Sequence, residues 1–220
     1  MKKIHLIESI SSFLASDNAS DSKGVFHPEE IAVHLNNVFN QSVYNAWLNG
    51  KKYSEFSQLD AWSKVYAVDV EDQVGAKAHA LLPFSPVQLP DGMGLRQVSD
   101  HDDPTTVLVP IEATASVVFG ALDVSTISSV PTYSLEQNAH SVSAGEKGHM
   151  LRLEKLPTGD DTIDSLDVLM IVPLDQLDDY DEISMPLEQA ESLISQVIEL
   201  MSRKNVPDTS NDMVNLNPIQ

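Results

Sequence analysis

The densest cluster of side chains able to do chemistry is Asp100-His101-Asp102-Asp103. Three carboxylates and an imidazole form a donor set for a divalent cation, the starting point for a metal-dependent hydrolase. Consecutive side chains diverge on any regular backbone, however, and Pro104 makes the stretch a turn. A solvated acidic turn is therefore the expectation, and the hydrolase, which needs a further His to converge, is the lesser alternative. The acidic run from Asp175 to Glu182 lacks the alternating ligands and closing Glu of a calcium loop and reads as a lead-in to the last helix. Ser143-Ala144-Gly145-Glu146-Lys147-Gly148 has neither the spacing of a phosphate-binding loop nor a strand before it. No G-x-S-x-G elbow or His-Glu-x-x-His pair occurs. His5, His27, His34, His79, His140 and His149 are scattered, so an acid–base pair among them has to be assembled by the fold. With no cysteine, disulfides, thiolate nucleophiles and Cys-bound zinc are excluded, which fits assembly in a reducing cytosol. No catalytic residue, cofactor or metal site is assigned, and the chain is expected not to be an enzyme.

Charge says more. The chain carries 33 acidic against 13 basic residues, a net charge of −20 over 220 residues. Between Lys155 and Arg203 there is no basic residue, while twelve carboxylates fall there. Phosphate recognition needs clustered Lys or Arg, so the balance argues against nucleic-acid binding. It suits a solvated face, a surface that repels DNA, or one that meets a basic partner. No apolar run approaches a membrane span, and no signal-peptide core follows the first residues, so neither a membrane role nor processing is expected.

The elements that must carry these groups fall into three blocks. Residues 2–15 form a helix with the stripe Leu6, Ile7, Ile10, Phe13 and Leu14, followed by a loop at 16–24. A second helix opens at Pro28 with Glu29 and Glu30 in its first turn, runs through Ile31, Leu35, Val38, Phe39, Val43 and Trp47, and ends at Asn49-Gly50. A third is expected from Ser54 to Tyr66, presenting Phe56, Leu59, Trp62 and Tyr66 to the core. The rhythm then changes to period two. Val74 to Leu82, Gly94 to Val98, Thr105 to Ile111, Thr132 to Leu135, Met150 to Leu153 and Asp167 to Val172 are strand candidates, and 112–124 is ambiguous.

The chain closes with a strongly amphipathic helix. Ser184 is a capping type, Pro186 sits in the first turn, and Ala190, Leu193, Ile194, Val197, Ile198 and Met201 trace one face. Five large apolar side chains at about 2 kcal/mol each make a face that must dock. The expected organisation is a helical part at 1–67, a β-rich part at 68–182, a C-terminal helix at 183–204 packing on the helical part, and an extended tail at 205–220. Helices, then mainly antiparallel strands, then one helix indicate an α+β class. The tail is too polar to fold alone, and its apolar residues Met213, Val214, Leu216 and Ile219 are candidates for contact with a neighbouring chain.

The order of features also resembles a known family. Phe26-His27-Pro28-Glu29-Glu30-Ile31 opens the helix pair, the Leu82-Pro83 and Leu89-Pro90 pairs mark the β-region, and Val130-Pro131-Thr132-Tyr133 follows. Leu151 to Pro157, Asp167 to Pro173, the acidic lead-in to Met185-Pro186 and the Pro207-Asp208…Asn211-Asp212 tail complete the pattern. Together they resemble the ring or adaptor proteins of the head–tail connector in short-tailed, crAss-like bacteriophages. The resemblance implies a structural virion protein, one of twelve around the DNA exit channel. Its partners would be copies of itself and the portal or neighbouring ring and tail proteins, with DNA passing unbound and no membrane contact. A soluble adaptor of another assembly accounts for the same features less specifically.

Overall fold

A computed structural model describes residues 1–17, 26–53, 57–111, 130–140, 147–158 and 162–204. The class is α+β, with helices and one curled, mixed sheet of eight strands. Two compact units arise, one from residues 1–42 together with those from 178 onward, the other from Val43–Leu177. Among the described residues no helix is long and apolar enough to cross a membrane.

The first unit is built from both ends of the sequence. Helix α1 (Lys3–Asp17) buries Leu6, Ile7, Ile10 and Leu14, and helix α2 (Pro28–Tyr53) begins here with Ile31, Leu35, Val38 and Phe39 buried. Helix α3 (Ser57–Asp60) belongs to the second unit, and the C-terminal helix, α4 (Leu187–Lys204), packs against α1 with Ala190, Leu193, Val197 and Met201 inward. A backbone clasp joins the N-terminus to the lead-in of α4. The Ile183 amide donates to the Met1 carbonyl at 2.8 Å, and Lys2 bridges Glu182 in antiparallel fashion. The first amides of α1, which no intrahelical carbonyl can reach, donate instead to Asp181 and Asp179 carbonyls from Lys3 (3.3 Å) and Ile4 (2.8 Å). The Lys3 ammonium lies 3.5 Å from the Asp179 carboxylate. Part of the acidic lead-in thus serves as the cap of α1.

The second unit holds the sheet. Its strands are β1 (Lys64–Asp69), β2 (Glu71–Val74), β3 (Lys77–Leu81), β4 (Leu95–Asp100), β5 (Val107–Pro110), β6 (Thr132–His140), β7 (Lys147–Glu154) and β8 (Ser165–Met170). They lie in the order β1-β8-β4-β5-β6-β7-β3-β2, antiparallel throughout except for the parallel β5–β6 pair. Alternation sends Leu166, Val168 and Met170 of β8 into the core, in register with Val68 of β1 and Val98 of β4. Tyr133, Leu151, Leu153, Ala78 and Ala80 continue that face across β6, β7 and β3. Burial pushes the Tyr133 phenol up to about 12, so it stays neutral.

Several local expectations are corrected. The third helix does not run from Ser54 to Tyr66. It is the single turn α3, closed by Trp62 and Ser63 amides donating to Leu59 and Asp60, after which six residues pair with β8 as β1. Six ladder positions outweigh the weak helix propensity of the β-branched, aromatic run Val65-Tyr66. Helix α2 continues past Asn49-Gly50 to Tyr53, with Gly50 buried inside it. Val74 to Leu82 is not one strand but the β2–β3 hairpin, turned at Gly75 with φ +64°. Phe13 points away from the α1 core stripe. Helix α4 begins at Leu187 rather than at Ser184, because the clasp holds the Ile183 amide on the Met1 carbonyl and Met185 precedes a proline. Strands β4, β5, β6, β7 and β8 also differ from their expected limits by a few residues. Residues 112–124 and the tail at 205–220 lie outside the described residues.

Three backbones interlace at one point. The Val87 amide donates to the Ile171 carbonyl at 2.8 Å, and the Ile171 amide donates to the Gly94 carbonyl at 2.9 Å. A Cβ at Gly94 would sit 1.9 Å from the Val87 carbonyl oxygen. Gly94→Ala is expected to cost on the order of 2–3 kcal/mol, because backbone must move. Gly75→Ala, with open space but φ +64°, is expected to cost about 1 kcal/mol. Urea unfolding of both variants checks this, and equal losses would show that the crossing relaxes.

Candidate functional site

The Asp100–Asp103 stretch forms the turn between β4 and β5, and its groups are spent on that turn. The Asp102 amide donates to Asp100 Oδ1 at 3.0 Å. Asp103 Oδ1 accepts from the Thr105 hydroxyl (2.6 Å) and amide (3.2 Å), and Oδ2 accepts from the Thr106 hydroxyl at 2.8 Å. These bonds hold the Asp103 carboxyl below the usual range. Both of its oxygens are already engaged. Among the described residues no three His, Asp or Glu side chains gather to hold a metal ion.

His101 instead pairs with a carboxylate that the sequence placed far away. Its Nδ1 lies 2.8 Å from Asp167 Oδ1 on β8, and its amide donates to the Ser165 carbonyl. The hydrogen bond to Asp167, then the charge of Asp167, with Asp102 and Asp100 behind, raises the imidazole above its ordinary value of 6.5. Nothing in the local sequence signals this pair, which exists only because β8 lies beside β4.

A second pair was equally hidden. The Ser85 hydroxyl lies 2.5 Å from His149 Nδ1, and the Ser85 amide donates to Gln176 Oε1 at 2.6 Å. With the Leu82 amide on the His149 carbonyl, these contacts tie the segment after β3 to β7 and to the 3-10 turn at Leu174–Gln176. The arrangement is that of a loop fastening. The remaining histidines are dispersed, His5, His27 and His34 on the first unit, and His79 and His140 on β3 and β6.

Asp167 lies within the outer face of the sheet, on β8 between β1 and β4, with His101 beside it. The face of β1, β8, β4 and β5 turned away from the core carries Val65–Leu169–Gln97 in one row and Ala67–Asp167–Ser99–Val107 in the next, with Val109 beyond. Val65 is 53% exposed, Val107 43% and Val109 45%. The same face over β6 and β7 is charged, with Arg152 3.6 Å from Glu136 and 3.5 Å from Glu154. One half of the outer sheet thus presents three exposed valines interrupted by Gln97 and Asp167, and the other half is ionic.

The first unit carries much of the acidity. Asp178, Asp179, Glu182, Glu188, Glu191 and Glu199 are all exposed around the lead-in and on α4, and Asp181 is half-buried. Met213, Val214, Leu216 and Ile219, the residues expected to touch a neighbouring chain, lie outside the described residues. No family model and no curated protein matches the chain.

The His101–Asp167 pair makes a direct prediction. A raised folded value means its contribution to stability is fully present below pH 6.5 and is lost as pH rises through that raised value. Asp167→Asn should bring the imidazole back toward 6.5, as followed by the His101 ring resonances in an NMR titration. A His101 that titrates at or below 6.5 in the unaltered chain would refute the pairing.

Proposed function

We propose that this chain is a non-enzymatic structural subunit that closes into a twelve-membered ring in the head–tail connector of a short-tailed bacteriophage, below the portal, where it helps build the DNA exit channel. The observation that carries this reading is the distribution of charge. From residue 156 to residue 202 the chain has no Lys or Arg, and of the ten described carboxylates there, eight are exposed and two half-buried. Duplex DNA presents one phosphate charge per about 1.7 Å of axis, so a wall of carboxylates supplies no cation to displace the counterions of DNA and lets it pass. The order of sequence features supports the same reading.

Ring closure is heterologous, with one face of each subunit meeting a different face of the next. The exposed Val65, Val107 and Val109 supply an apolar patch for such a contact, and Met213, Val214, Leu216 and Ile219 supply candidate side chains from a neighbouring copy. Location in the virion and contact with portal or neighbouring tail proteins are part of the proposal.

The test is the particle itself. Mass spectrometry of purified virions should find this chain at roughly the copy number of the portal, and class-averaged electron micrographs should show a twelve-fold layer beneath it. Virions without the chain, or a chain recovered only in a complex with one host protein, would overturn the reading. A duplex DNA fragment should also run unshifted with the chain at about 50 mM salt, where non-specific binding by cationic proteins is strongest.

A further inference from the structure

The first unit holds an aromatic side chain out in solvent on a fixed turn. Tyr180 is 72% exposed. The backbone beneath it is pinned from both sides. The Asp181 amide donates to the Asp178 carbonyl at 3.0 Å, and the Asp178 amide donates to Asp181 Oδ2 at the same distance. The Asp179 and Asp181 carbonyls take the first amides of α1, and Lys2 bridges Glu182. The Asp179 carboxylate faces Lys3, whereas Asp178 and Glu182 stand exposed on either side of the tyrosine. A tyrosine on a backbone already ordered loses little further freedom when it is covered, which is the character of an interface anchor.

The second unit carries a surface of matching chemistry, the C-terminal end of α2. Lys51 lies 5.1 Å from the centre of the Trp47 ring, and Lys52 lies 5.2 Å from that of Tyr53. The rings keep both ammonium groups at the helix end. Both lysines are exposed, and among the described residues neither is in a salt bridge. Tyr44, Leu48 and Tyr53 add exposed apolar area on the same turns of the helix. From residue 31 to residue 54 the chain has no Asp or Glu at all, against 33 in the whole.

Charge decides the occupant. Two copies with a net charge of −20 repel over most of their surfaces, so a contact between them has to set carboxylates against cations. The turn offers two exposed carboxylates around a tyrosine. The helix end offers two exposed ammonium groups around aromatic and aliphatic side chains. We infer that the 178–182 turn of one copy docks on the Lys51 and Lys52 end of α2 in the next copy. Tyr180 covers the apolar area, and Asp178 and Glu182 pair with the lysines. Each surface lies within a single compact unit. The contact is heterologous, so it rests on the ring reading and names two faces that ring closure brings together.

Sedimentation velocity of the full chain at low salt tests this. Species larger than the 24.1 kDa monomer should grow with concentration and recede as salt is added. Tyr180→Ala, and separately Lys51→Gln with Lys52→Gln, should each weaken association about tenfold or more, with far-UV circular dichroism unchanged. Mixed together, the two variants should form dimers and nothing larger, because one keeps only its helix end and the other only its turn. A monomer of the unaltered chain at every concentration overturns the inference, and so does a mixture that stays monomeric. If both variants still close into rings, the ring reading survives and this contact fails. If the mixture dimerises but virions lack the chain, the contact stands and the connector reading fails.

Discussion

A chain that carries twenty more negative than positive charges has to keep its carboxylates apart wherever two segments meet, and much of this structure follows from that constraint. Most of the acids described between Asp164 and Glu199 stand in solvent, where water screens their repulsion. Others are absorbed by donors close by, as Asp100 and Asp103 are in the turn before β5. The acidic lead-in to α4 joins the N-terminus chiefly through backbone rather than through its charges. Its carbonyls at Asp179 and Asp181 take the first amides of α1, whose own first turn contains no acidic residue. The exposed valines of β1 and β5, Val65, Val107 and Val109, then stand out as apolar side chains able to meet another protein.

Non-local pairing gives each unit its cohesion. In the second unit β8 lies between β1 and β4, nearly a hundred residues from the former in sequence, and its inward side chains fill the middle of the core. In the first unit the clasp links Met1 to Ile183. Such pairings are reached only after long loops close, so they contribute late and as a set. The tight crossing of Val87, Gly94 and Ile171 belongs to the same set, since it requires β4 and the chain after β8 to be in place together.

Periodicity made α1, α2 and α4 legible in the sequence, because an apolar stripe repeated every three to four residues over four or more turns fits a helix and not a strand. The alternating blocks around Ala78, Val98, Leu153 and Val168 likewise announced strands. Legibility failed where local and distant forces competed. Leu59, Trp62 and Tyr66 have helical spacing, yet pairing with β8 takes the second half of that segment into the sheet. Gly50 has the look of a helix end, yet α2 runs through it, with Val43 and Trp47 buried on the same helix. Phe13 fits the apolar stripe of α1 by spacing but faces solvent. For the candidate sites the contrast is sharper. The acidic turn at Asp100–Asp103 could be recognised from composition and Pro104, whereas the partner of His101 could not.

By itself, then, the sequence determined the helices with long stripes, the α+β class and the sign of the surface, since each depends on side-chain type and near-neighbour spacing. Only the tertiary structure decided that Asp167 meets His101, that Ser85 meets His149, and which valines face outward. Those outcomes depend on strand order and register, set by the summed burial and hydrogen bonding of segments far apart in the chain. No short stretch of residues carries that information.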